Sequence, residues 1–180
     1  MAKPLVATGH FTGCFGCHMS LLDIDEKILD LVELVEFDKS PINDIKDFSR
    51  PVDIGLIEGG MSNSENVEVL REFRKYCKIL ISVGACAVTG GVPAMRNTVP
   101  LKECLEEAYL KGPTVENNGI IPNDPDIPIM LDRVYPAHEV VKIDYLLPGC
   151  PPPAEQLWAA LSALLSGNEP ELPYELIKYD

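Results

Sequence analysis

Cys14 and Cys17 stand two residues apart, separated by Phe15 and Gly16, at the end of the apolar run "PLVATGHF" and ahead of an amphipathic one. Two thiols at that spacing can close a redox disulfide, grip half of a zinc site or hold one side of an iron–sulfur cluster. Two further cysteines keep similar company: Cys86 follows "KILISVG" and Cys150 follows "IDYLLPG". Gly13, Gly16, Gly84, Gly90, Gly91 and Gly149 crowd the same stretches, and glycine lets backbone approach a bulky group and aim amides at it. Pro148 and Pro151 to Pro153 fix φ on both sides of Cys150. Cys77 ends a helical pattern and Cys104 lies within one, so neither is expected to be a ligand.

What could carry these residues to one place is the order of the elements between them. "PLVATGHF" reads as a first strand. From Met19 the period changes: Leu21, Ile24, Ile28, Leu31 and Val35 recur at helical spacing, with Asp23, Glu26, Asp30 and Glu33 facing away. "LVELVEFDKSP" closes that helix and opens a short second strand. "VDIGLIEGG" has the continuous apolar character of a strand buried on both faces. Ser62 and Glu65 offer a capping box for a helix over "SNSENVEVLREFRKYC", which leads into the strand "KILISVG". After Cys86 come a Gly-rich turn and a helix from Pro100 to Tyr109; residues 111 to 137, dense in Pro, Asn and Gly, read as an irregular excursion. "EVVKIDYLLPG" restores the strand pattern. "PPPAEQLWAALSALLSGN" follows as a helix with Leu157, Trp158, Leu161, Leu164 and Leu165 on one stripe and Gly167 as its stop.

This alternation gives an α/β fold of three layers, a mostly parallel sheet with helices on both faces joined by right-handed crossovers, of flavodoxin-like type. Its strand-to-helix loops all open on one rim, outside the carboxyl ends of the strands, where ligands of such sheets collect. Cys14, Cys17, Cys86 and Cys150 occupy loops of that kind; Cys77 belongs to the opposite edge.

The 180 residues suit one domain over 1–180 with a core of its own. Lys+Arg of 15 against Asp+Glu of 28 gives a net charge of −13, which repels phosphate backbones and anionic headgroups, so neither nucleic acid nor a membrane is an expected partner. Apolar residues make up 46% of the chain without running for the ~20 positions a bilayer crossing takes. "MAKPLVATGH" lacks the pattern of an export signal, which points to the cytoplasm. In that reducing setting cysteines are more often free or metal-bound than paired.

On the first pair alone, a thioredoxin-type dithiol stands level with metal binding. The two distant, glycine-flanked cysteines at the same rim shift the balance to a metal group. Four thiolates also bind zinc, but zinc sites usually draw on two compact pairs. No G-x-x-x-x-G-K-[ST], G-x-G-x-x-G or G-x-S-x-G occurs, and His10, His18 and His138 are too few for a histidine-rich site. His18 reads as a partly exposed residue at a helix start that could bond a sulfur. Glu58 ends a strand, and facing the crevice or serving as an ordinary loop carboxylate are equal readings.

The motifs "CFGCHMS", "EG" after a strand, "VGACAVTGGVP" and "LPGCPPP", in that order, resemble the small subunit of a [NiFe] hydrogenase, over Leu5 to about Leu165. The resemblance implies that Cys14, Cys17, Cys86 and Cys150 bind one proximal [4Fe–4S] cluster, as cofactor and metal ligands, with no catalytic residue in this chain. Phe15 and Gly16 between the first cysteines favour hydrogenase over the quinone-linked relative, the small subunit of NADH–quinone oxidoreductase, in which those cysteines are adjacent. After Cys150 no cysteine remains to build another cluster, as in the short small subunits of soluble cytoplasmic hydrogenases that use NAD. On that resemblance the chain is part of an oxidoreductase: a large subunit holds the Ni–Fe centre, this chain relays electrons, and diaphorase subunits with FMN and further Fe–S clusters reduce NAD+. Such a relay lies close to both redox neighbours, so substantial surface is expected to be buried by partners and the chain is expected to be neither stable nor active alone. The alternatives are a flavodoxin-like FMN-binding module, a zinc-stabilised scaffold and the quinone-linked relative.

Overall fold

The computed structural model describes residues 3–116 and 119–177. Strand β1 (Leu5–His10) leads through the Cys14–Cys17 loop into helix α1 (Gly16–Leu22), then α2 (Lys27–Leu34) and the short strand β2 (Glu36–Phe37). Strand β3 (Val52–Glu58) turns into β4 (Met61–Asn63) and helix α3 (Ser64–Tyr76), which runs directly into β5 (Cys77–Val83). Helix α4 (Gly84–Thr89) carries Cys86; a 3₁₀ segment (Val92–Thr98) and α5 (Leu101–Glu106) follow. The chain closes with β6 (Met130–Tyr135), β7 (Tyr145–Leu147) and α6 (Ala154–Leu165).

Five strands form a parallel sheet in the order β2-β1-β3-β5-β7. Counted by their sequence order within this sheet, that is 2-1-3-4-5, the flavodoxin order, with its topological switch point between β1 and β3. The expected α/β class and flavodoxin-like layering are therefore observed. One face is covered by α1, α2 and α6, whose Leu21, Leu31, Leu157 and Leu161 pack on Val6, Ile54, Leu56 and Ile81. The other face is covered by α3, whose Leu70 and Phe73 pack on Leu5, Ala7, Ile57 and Leu80. Each large side chain fully withdrawn from water in these layers contributes about 1.5–3 kcal/mol. Because β3 is buried along almost its whole length between the two layers, its central run Ile54–Ile57 is apolar without alternation.

Several local expectations are corrected. The single helix after Met19 is two helices, broken where Asp25 takes φ 54°, a left-handed conformation that ends a right-handed helix. The cap of α3 is Asn63, whose side chain accepts a hydrogen bond from the Asn66 amide at 2.8 Å, and not Ser62, which sits in β4. The excursion over 111–137 contains β6, which pairs antiparallel with β4 as a separate two-stranded sheet. The segment around Cys86 is a helical turn rather than open loop, and β7 is confined to three residues after a 3₁₀ turn at Ala137–Glu139. Among the described residues no helix is long and apolar enough to cross a membrane.

Candidate metal centre at the sheet rim

The carboxyl ends of β1, β3, β5 and β7 deliver four loops to one rim, and backbone hydrogen bonds stitch those loops together. Thr12 and Gly60 exchange two bonds, at 3.0 and 2.8 Å, tying the first cysteine loop to the β3–β4 turn. The Ala85 amide donates to the Gly149 carbonyl at 2.7 Å, joining the Cys86 and Cys150 segments. The Ser20 hydroxyl donates to the Pro152 carbonyl, fastening α1 to the same loop. Residues more than a hundred positions apart are thereby held as one wall.

Cys14, Cys17, Cys86 and Cys150 all line one pocket of about 280 Å³, part of it open to solvent, together with Gly13, Gly16, Glu58 and Gly59. Cys14 and Cys150 are exposed and Cys17 and Cys86 half-buried, so the pocket has a surface side and a deep side. Cys77 stands at the start of β5, on the opposite edge, packed against Gly55, and Cys104 lies in α5, where the sequence assigned them. None of the six cysteines is joined in a disulfide.

Two glycines make room for the sulfurs. Gly84 has φ 82°, and a Cβ added there would run into Cys17 Sγ; one added at Gly91, with φ 50°, would lie 3.0 Å from Cys86 Sγ. An all-thiol donor set of four, backed by glycine, suits a cluster of several irons as well as a single zinc ion.

Burial pushes the Cys17 thiol far above its ordinary range, and the nearby Glu58 carboxylate pushes it further. Cys86 is also raised, by burial first and then by the neighbouring Cys150 and Cys14. Metal ligation takes thiolates, so loading this pocket expels protons.

Two residues that the sequence left undecided belong to the site. Glu58, at the end of β3, is buried; its Oε2 accepts from the Cys17 amide at 3.0 Å, and its Oε1 is bonded to His18 Nδ1 and, at 3.2 Å, to His10 Nδ1. Burial raises the Glu58 carboxyl, but the hydrogen bond and charge of His18, with Cys17 and His10 adding, bring it on balance below its ordinary value. His18, expected to be partly exposed, is buried: its ring stacks on Phe15 at 4.4 Å and its Nε2 lies 2.9 Å from Thr8 Oγ1. The signal that could have found Glu58 is its place directly after the apolar run Ile54–Ile57, at the carboxyl end of its strand. His18 gives no such signal.

A flavodoxin-type sheet with four thiols converging on its carboxyl rim defines an α/β protein with a candidate all-cysteine metal centre. Residues 14–164 match the family described as NADH ubiquinone oxidoreductase, 20 Kd subunit, and the chain belongs to that family. Within it, the chain is 49% identical to the delta subunit of the NAD-reducing hydrogenase HoxS of Cupriavidus necator, over 99% of this chain and 86% of that one. It is 43% identical to a subunit of the F420-non-reducing hydrogenase of Methanothermobacter thermautotrophicus, of which it spans only 56%. Its structure superposes on a chain from the crystal structure of NAD+-reducing [NiFe]-hydrogenase in the H2-reduced state with a TM-score of 0.96, at 48% identity and 99% coverage of both. A [NiFeSe] hydrogenase chain of Desulfomicrobium baculatum shares the fold at a TM-score of 0.60 and 17% identity. The resemblance to hydrogenase small subunits is borne out, and the chain is a component of an oxidoreductase.

Proposed function

We propose that this chain is the electron-transferring small subunit of a soluble, cytoplasmic NAD-linked [NiFe] hydrogenase. Cys14, Cys17, Cys86 and Cys150 hold one [4Fe–4S] cluster in it. The observation that carries this reading is the convergence of four thiols from three separate loops on one glycine-backed pocket, in a chain 49% identical to a subunit of an NAD-reducing hydrogenase. When bound, such a cluster supplies a one-electron couple within the range of about −700 to +450 mV that protein clusters span. This chain's part is to supply the thiolates, to keep the surrounding loops stiff through the Thr12–Gly60 and Ala85–Gly149 bonds, and to surround the site with negative charge that disfavours reduction and lowers its potential. A large subunit holds the Ni–Fe centre where H2 is split; a diaphorase module with FMN and further Fe–S clusters receives the electrons, giving H2 + NAD+ = H+ + NADH.

The test is made on the purified complex with Cys14→Ala/Cys150→Ala. H2-dependent NAD+ reduction falls to background, while H2/D2 exchange by the large subunit and NADH-driven dye reduction by the diaphorase persist. Unimpaired H2-to-NAD+ coupling in that variant would overturn the relay. A flavin-binding module, the reading that the strand order alone permits, would instead yield a chain with bound flavin and no iron.

A further inference from the structure

The deep wall of the cysteine pocket is a closed hydrogen-bonded hub, and its residues have no part in the relay as proposed. Glu58 is its centre: one carboxylate oxygen takes the Cys17 amide at 3.0 Å, the other takes both His18 Nδ1 and His10 Nδ1. His18 is fixed on every side. Its Nε2 meets Thr8 Oγ1 at 2.9 Å, Thr8 Oγ1 meets Ser40 Oγ at 2.6 Å, and Phe15 lies flat on the ring with an interplanar angle of 4°. Phe15 reaches that position from the left-handed region, φ 68°, a conformation that costs a bulky residue about 1–2 kcal/mol. Cys17 and Glu58 line both the cysteine pocket and a small second crevice behind it, which His18, Leu21, Leu56 and Leu157 also line. The His10, His18 and Glu58 atoms lie as close together as metal ligands would, but both Nδ1 atoms are already directed at the same carboxylate oxygen, so the trio is a hydrogen-bond hub.

We infer that His18 is a positioning residue for the redox site: it holds the Glu58 carboxylate against the Cys17 amide and so keeps the potential of the cysteine-bound group low. This rests on the cluster reading. Two effects act in one direction. A carboxylate fixed beside the site opposes the arrival of another negative charge, and it is scarcely screened because it is shut away from water. The Cys17 amide, engaged by Glu58, is withheld from sulfur, and hydrogen bonds to sulfur are among the features that set cluster potentials. Without His18 the carboxylate loses the bond that fixes its orientation, and both effects relax together.

The test is a redox titration followed by EPR, with iron and sulfide analysis, on the complex carrying Glu58→Gln, His18→Leu, His18→Gln or the double variant Glu58→Gln/His18→Leu. Glu58→Gln keeps one oxygen for the Cys17 amide, removes the charge and sets an NH2 group in place of the oxygen that faces His18 and His10. The expected result is full iron in each case and a rise in midpoint potential for Glu58→Gln and His18→Leu, such that the reduced-to-oxidised ratio at fixed ambient potential grows about tenfold, 59 mV for one electron. His18→Gln, which retains a donor for Glu58, shifts less than His18→Leu, and the double variant shifts no further than Glu58→Gln. An unchanged midpoint in a fully loaded Glu58→Gln complex overturns the inference and leaves the cluster reading standing. A complex that loses no iron when the four cysteines are replaced overturns the cluster reading itself. If His18→Leu fails to load iron, Glu58→Gln and His18→Gln decide by the same criteria.

Discussion

Gly84→Ala is the sharpest perturbation of the cysteine pocket that leaves every thiol in place. Gly84 opens α4 with φ 82°, and a methyl group there would collide with Cys17 Sγ; the Gly149 carbonyl at 3.5 Å and Pro152 Cδ at 3.7 Å leave it nowhere to retreat. The left-handed conformation costs an alanine about 1–2 kcal/mol, and forcing atoms into a packed site costs about 1–3 kcal/mol more. The sum is a loss of roughly 2–5 kcal/mol, relieved chiefly by pushing the Cys17 sulfur out of position. Gly167→Ala is the control: φ is 76°, yet no atom lies within 4 Å of the added carbon, so it incurs strain alone. Iron and acid-labile sulfide analysis of the purified complexes, with EPR of the reduced state, reads the outcome. Gly84→Ala should lose iron from this chain or show an altered signal, and Gly167→Ala should match wild type. A Gly84→Ala complex with full iron and an unaltered signal would refute the claim that glycine backs the sulfur there.

Cys77→Ala and Cys104→Ala should leave iron content and EPR unchanged, since burial pushes the Cys77 thiol up to about 12 at the far edge of the sheet and Cys104 lies in α5. Asn63→Ala should cost about 1 kcal/mol in denaturant unfolding by removing the cap on α3. Asp144 accepts from Arg74 Nη1 at 2.6 Å and from the Leu80 amide at 2.8 Å. Burial raises its carboxyl, but those two bonds and the Arg74 charge outweigh burial and hold it below its ordinary value. Its stabilisation is therefore complete above the unfolded value of about 3.9 and is lost as pH falls through the lower folded value. Asp144→Ala should cost about 1.5–3 kcal/mol at neutral pH, with the gap from wild type closing in acid.

The parts of the site legible in the sequence are those carried by local pattern. Each ligand candidate follows an apolar run and precedes a helical one, and in a parallel sheet that alone assigns Cys14, Cys17, Cys86 and Cys150 to the same rim. What escaped notice depends on partners distant in sequence. His18 and Glu58 are forty positions apart, and the motifs that contain them, "CFGCHMS" and "EG", do not pair them; only the pairing of β1 with β3, which sets His10 opposite Glu58, makes them neighbours. Strand β6 escaped because only Val134 of its six residues is buried, so no apolar alternation marks it, and it pairs with the three-residue β4. The break at Asp25 escaped because the apolar positions on either side keep a helical period through it.

Counting iron and acid-labile sulfide in the intact, anaerobically purified complex, wild type against Cys14→Ala/Cys86→Ala, tests the shared-site claim most directly. The account predicts a difference of about four irons and four sulfides per complex, with the remaining clusters unchanged. Equal iron and sulfide in the two preparations would contradict it.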